Sequence, residues 1–159
     1  MTFALYATIW ASLILFAAGE TGRHLTRGAW PRIVFIAGLL FCLVHIAIAM
    51  GSVHGWSHAA AMAATAAQTK ATFGLDYGGG VFVNYAFVLA WGLDAAFWYP
   101  STESASRVAG TLRWLLRIFY AIVLLNAAVI FAGGARRVLG LAIVIWLVWI
   151  WGRRARRAV

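Results

Sequence analysis

Residues 33–53, IVFIAGLLFCLVHIAIAMGSV, decide the fold class of this chain. They contain no Asp, Glu, Lys or Arg, and their length matches the roughly 20 apolar residues that a helix needs to cross a bilayer. A backbone in lipid must satisfy its hydrogen bonds internally, so the stretch predicts a transmembrane helix. Trp30-Pro31-Arg32 precedes it, and proline suits the first turn of a helix.

The rest of the chain has the same character. Hydrophobic residues make up 64% of its 159 positions and charged residues 11%, whereas soluble domains have roughly 45–50% and about 25%. The sequence therefore predicts an all-α, polytopic transmembrane helix bundle that forms one integral membrane domain over residues 1–159. Five spans are favoured, at about residues 3–19, 33–53, 81–99, 118–132 and 138–151. We call residues 54–80, between the second and third spans, the outer segment.

The arginines predict the orientation of these spans. The connections after the first and third spans and the C-terminal tail are rich in Arg, and five spans place all three on one side. By the positive-inside rule, the N-terminus and the outer segment lie outside and the C-terminus is cytoplasmic. Arg136 and Arg137 are discordant, because they fall on the outer side. The alternative is four spans, with a re-entrant or kinked element within residues 118–151.

Charge and cysteine content exclude other classes. The formal net charge of +9 comes from arginines at the ends of apolar runs, which indicates membrane topology and not nucleic-acid binding. The single Cys42 excludes a disulfide framework and a Cys-based zinc motif. The first run lacks a basic n-region and a good cleavage site, so we expect a retained span and not a signal peptide.

The outer segment carries a candidate metal site. Its Ala-rich sequence favours helix, so we expect the second span to continue outward as one helix. Met50, His54 and His58 are spaced four residues apart, and on such a helix they share one side. Thioether and imidazole are donors compatible with copper, and Asp76 could add a fourth from the following loop. The alternative is a polar stripe that packs against loops or a partner.

His45 lies deeper in the same predicted helix. It is nine residues from His54, about 13.5 Å along the axis and on the opposite side, so the two cannot share a metal. If His45 were a haem ligand, a second histidine would have to bind the iron from another helix. The remaining histidine, His24, is predicted in the cytoplasmic connection, so it is not available within the spans. A haem shared with another subunit is one interpretation. The other is a neutral ring hydrogen-bonded to a backbone carbonyl or a polar group on a neighbouring span.

The predicted spans contain one acidic side chain, Asp94, and two amide side chains, Asn84 and Asn126. An ionised Asp94 is energetically unfavourable in a span unless it has an ion-pair partner or a path to water. We expect an ion pair with Arg113 or Arg117. The alternative is that Asp94 handles protons or ions. Asn126 and Asn84 can hydrogen-bond between helices and so fix helix pairing.

These features lead to three functional hypotheses. The first is a small non-catalytic integral membrane subunit or assembly protein of a bacterial membrane complex. Its partners would be the lipid bilayer and either other membrane subunits or a second copy of the chain. We expect no nucleic-acid partner and no catalytic residues. It would lie in the bacterial inner membrane, since Arg preferred over Lys suggests a GC-rich bacterial genome. The second is a copper- or haem-binding membrane protein. The third is proton or ion conduction through Asp94.

Overall fold

The computed structural model describes residues 2–26, 28–98 and 107–153, and all regular structure within them is helical. This confirms the all-α prediction. Arg27, the predicted end of the third span at Tyr99 and the tail beyond Arg153 lie outside the described residues. The helices are α1 Thr2–Leu25, α2 Trp30–Ser52, α3 His58–Phe73, α4 Gly80–Ala96, α5 Arg107–Leu125 and α6 Ala135–Gly152, and a π-helical turn, Asn126–Ile130, continues α5.

Four helices are long and apolar enough to cross a membrane, which supports an integral membrane protein. They cover Phe3–Leu25, Trp30–Ser52, Ala109–Ile130 and Ala135–Gly152. The fifth apolar helix, α4, has 17 residues, which is about 25 Å at 1.5 Å per residue. It is shorter than a typical span.

The first two helices form a closely packed antiparallel hairpin. A Cβ atom added to Gly19 would lie 2.8 Å from Phe35 Cβ and 2.9 Å from its Cα. Farther along the hairpin, Ser12 Oγ donates a hydrogen bond of 2.9 Å to Gly38 O. Small residues let helix backbones approach closely, so the two glycines explain why this pair has the most extensive contact in the bundle.

An aromatic core joins the hairpin to α4 and α5. The ring of Phe16 lies 5.2 Å from Phe35, 4.8 Å from Trp91 and 5.1 Å from Tyr120, measured between centroids. All four side chains are fully buried, and the contacts with Trp91 and Tyr120 are edge-to-face, a favoured geometry of aromatic pairs. Thus α4 lies within the bundle despite its length.

The last helix, α6, completes an up-and-down arrangement. Near its start the guanidinium of Arg136 lies over the ring of Tyr6, and near its end Trp151 Nε1 donates to Glu20 Oε2. We call the end of the bundle that holds Tyr6 the upper end, and the end that holds Glu20 the lower end. The helices α1, α4 and α6 run from upper to lower, while α2 and α5 run in the opposite direction.

The outer segment is not a continuation of α2. The helix ends at Ser52, and Gly55 and Trp56 both have positive φ angles, of 56° and 60°. A new helix then begins at His58, where the side chain of Ser57 accepts a hydrogen bond from the backbone N–H three residues on. Our prediction of one extended helix was therefore wrong, because a left-handed turn ends one helix and an N-cap serine starts another.

Candidate functional site

Four charged side chains are buried together at the lower end, and we call them the charge cluster. Glu20, Arg23 and Arg117 are 1%, 4% and 7% exposed, and the side chain of Asp94 is 11% exposed. They come from α1, α4 and α5. Two carboxylates and two guanidinium groups cancel in formal charge, which matters because an unpaired charge in such a bundle is strongly destabilising.

Arg23 is the centre of the charge cluster. Its Nη1 and Nη2 atoms donate to the two carboxylate oxygens of Asp94, each at 3.1 Å, and Nη1 also lies 2.9 Å from Glu20 Oε1. The guanidinium stacks on Trp98, 3.6 Å from the ring centroid. This bidentate geometry is specific to the planar guanidinium, and it joins α1 to α4.

The partner that we predicted for Asp94 is wrong. We expected Arg113 or Arg117, but the ion pair is with Arg23. The reason is that α1 continues to Leu25, beyond the predicted end of the first span, and so brings Arg23 into the bundle. The hydroxyl of Tyr120 adds a longer hydrogen bond of 3.4 Å to Asp94.

Arg117 and Trp151 connect α5 and α6 to the same end of α1. Arg117 Nη2 lies 2.7 Å from His24 Nε2; a guanidinium can only donate, so Nε2 accepts and the ring proton is on Nδ1. Trp151 Nε1 donates to Glu20 Oε2 at 2.7 Å. Trp151 is itself buried in this contact.

The charge cluster holds four helices together. Glu20 accepts from Trp151 and pairs with Arg23. Asp94 accepts from Arg23 and Tyr120, and Arg117 donates to His24.

Sequence reasoning missed three members of this region, although a signal was available. Glu20, Arg23 and His24 have i, i+3 and i+4 spacing, so they share one face of any helix that continues through them. We ended the first span at residue 19, where the charges begin. A lone carboxylate in another span, Asp94, was the indication that this charged face could be buried.

The predicted metal site loses its geometric basis. Met50 lies in α2, His54 in the turn and His58 at the start of α3, so the helical spacing does not align them. His58 Nδ1 lies 3.1 Å from the hydroxyl of Tyr85, and Asp76 pairs with a lysine of α3. Among the described residues, no group of three or more His, Cys, Asp or Glu side chains could hold a metal ion.

His45 contacts α1. Its Nδ1 atom lies 3.0 Å from the carbonyl oxygen of Leu5 and 3.4 Å from Thr8 Oγ1. This contact fits the interpretation of His45 as a neutral ring hydrogen-bonded to a backbone carbonyl, which was the alternative to a haem ligand. Because Leu5 and Thr8 lie near the start of α1, the contact stabilises the upper end of the hairpin.

Neither asparagine bonds to another helix among the described residues. Asn126 Nδ2 donates at 2.9 Å to the carbonyl of Ile122 in its own helix, because it lies at the start of the π-helical turn. Asn84 is exposed on α4 and makes no hydrogen bond to another described residue. Their role in helix pairing stays a prediction.

The outer segment exposes large apolar side chains. Trp56, Phe73, Leu75 and Tyr77 are between 52% and 70% exposed, and they lie outside the helices that could cross a membrane. The segment is nevertheless ordered: α3 packs on α4, and the ring of Phe73 lies 6.1 Å from that of Phe131. These four side chains are therefore exposed on a segment that is packed against the bundle.

No family model, no curated protein and no solved structure matches this chain.

Proposed function

We propose that this chain is a small non-catalytic membrane subunit or assembly protein that docks other membrane subunits, or a second copy, through its outer segment. The observation that carries this proposal is the exposure of Trp56, Phe73, Leu75 and Tyr77 outside the helices of spanning length. Contiguous exposed apolar surface usually marks an interaction site.

The charge cluster supports a scaffold role. It ties α1 to α4, α5 and α6 through the contacts of Arg23, Glu20 and Arg117. The outer segment is positioned on this bundle by the packing of α3 on α4 and by the contact of Phe73 with Phe131.

The proposed topology has five crossings, with the outer segment and the N-terminus outside a bacterial inner membrane. Although α4 is short, Trp91 is packed between α1 and α2, and Asp94 reaches the lower end. A span a few Å too short is accommodated by local thinning of the bilayer at modest cost. The excess of Arg in the connections at the lower end favours that end as cytoplasmic.

Photo-crosslinking in native membranes tests the docking proposal. A photoreactive amino acid replaces Phe73 in the outer segment and, as the control, Val148 on α6, because both side chains are 52% exposed. We expect a discrete protein adduct at position 73, which mass spectrometry identifies as a different subunit or as a second copy. At position 148 we expect lipid adducts.

The proposal also predicts agreement between neighbouring positions. The same photoreactive group at Tyr77 should give an adduct with the same protein as at Phe73. If both positions give only lipid adducts, as at Val148, then the outer segment lies against lipid and the proposed function is wrong.

A further inference from the structure

A cavity of about 170 Å³ lies at the upper end, between α1 and the π-helical turn with the loop that follows it. Leu13 and Ala128, which are 5% and 4% exposed, form its floor. Tyr6 and Arg136 are exposed and lie at its mouth. Its volume is comparable to the ~150 Å³ apolar cavity that admits benzene, so it can hold part of an apolar ligand.

The π-helical turn shapes this cavity. The N–H of Phe131 bonds to the carbonyl of Asn126 five residues earlier, and such turns often occur at functional sites. Arg137 Nε donates to the carbonyls of Val129 and Ala132, both at 3.0 Å. One of the two discordant arginines therefore has a structural role, since it satisfies carbonyls at the end of the turn.

The other discordant arginine, Arg136, is held at the mouth. Its guanidinium lies 4.1 Å from the ring centroid of Tyr6, a cation–π geometry. It makes no ion pair or hydrogen bond to any other described residue. An oriented cation thus lies beside a cavity whose lining side chains are mostly apolar.

We infer that this cavity and Arg136 form a binding site for an anionic phospholipid of the surrounding bilayer. Charge complementarity identifies the ligand class: the cation contacts the phosphate, and the end of an acyl chain enters the cavity. The cavity is lined mainly by helices that could cross a membrane, so acyl chains are the apolar groups nearest to it. Interfacial Tyr and Trp side chains, here Tyr6 and Trp10, are usual at headgroup level.

The test compares two short-chain lipids on the purified full chain in nonionic detergent. Dioctanoyl phosphatidylglycerol is anionic and dioctanoyl phosphatidylcholine is zwitterionic, and their chains are identical. A ligand that binds the folded state raises the unfolding temperature, so titration gives an apparent affinity for each lipid. We expect tighter binding of phosphatidylglycerol.

Three variants separate the cation from the cavity. Arg136→Ala should weaken phosphatidylglycerol binding about fivefold. It should weaken phosphatidylcholine binding less, because the choline cation already offsets the charge of the phosphate that Arg136 contacts. Arg153→Ala is the matched control, because Arg153 stacks on Trp149 at 3.6 Å at the lower end, and it should change neither affinity. Ala132→Leu narrows the cavity and should weaken the binding of both lipids.

Three results would overturn the inference. The first is equal affinity of the unaltered protein for the two lipids. The second is an equal loss in the Arg136 and Arg153 variants, which would indicate a general charge effect. The third is unchanged binding after Ala132→Leu, which would mean that the chain does not enter the cavity.

Discussion

Replacing Asp94 by Asn should destabilise the bundle by about 3 kcal/mol, because breaking a buried ion pair costs roughly 3–5 kcal/mol. The side chain keeps its shape but loses its charge and one of the two acceptors that Arg23 contacts at 3.1 Å. We expect the lower end of the range, since Glu20 still lies 2.9 Å from Arg23 and neutralises it. The measurement is the free energy of unfolding by SDS titration in mixed micelles.

A double-mutant cycle isolates the pair. Arg23→Met should cost about 5 kcal/mol, since it leaves Asp94 and Glu20 as two buried carboxylates without their shared cation. The double variant combines Asp94→Asn and Arg23→Met. Its loss of unfolding free energy should be about 2–3 kcal/mol smaller than the sum of the losses in the two single variants.

The exposed pair Lys70–Asp76 is the matched control. Its N···O distance is similar, 3.2 Å, but the side chains are 64% and 68% exposed. Asp76→Asn should therefore cost no more than about 1 kcal/mol. The reasoning is refuted if Asp94→Asn and Asp76→Asn lower the free energy of unfolding by the same small amount. It is also refuted if the effects of the two single variants in the cycle are additive.

Three further predictions use the same titration. Trp151→Phe removes the 2.7 Å hydrogen bond to Glu20 and should cost about 1–3 kcal/mol; an unchanged free energy of unfolding would contradict that bond. Gly140→Ala should destabilise α6, because the added Cβ would collide with the carbonyl of Ala128; a stabilised variant, as expected from helix propensity alone, would disprove the close approach. Asn126→Leu should change stability by less than about 1 kcal/mol, since among the described residues the side chain bonds only within its own helix, whereas a loss above about 2 kcal/mol would indicate a contact between helices.

The sequence predicted the apolar helices well because their signal is local. Residues 33–53 have no charge, and α2 covers nearly the same stretch. The first span was predicted too short since hydropathy falls at Glu20, although the helix continues to Leu25. Whether a charged turn leaves the membrane or is buried depends on partners far away in the chain, and those are not visible in a local pattern.

The outer segment and the charge cluster illustrate the same limit. Alanine content predicted helix in the outer segment, but the left-handed turn at Gly55 and Trp56 broke the register on which the metal site depended. Asp94 was correctly singled out as needing a partner, but Arg23 is 71 positions away. Only the packing of α4 against α1 brings the two together.

Cysteine accessibility tests the membrane arrangement of the outer segment most directly. In a Cys42→Ala background, Ala64→Cys places one thiol on α3 and Arg153→Cys places one after α6, both at exposed positions. In sealed right-side-out vesicles, a membrane-impermeant maleimide should label position 64 directly and position 153 only after permeabilisation. Labelling of both positions from the same side would contradict five crossings. It would also contradict the claim that the outer segment and the arginine-rich end lie on opposite sides of the membrane.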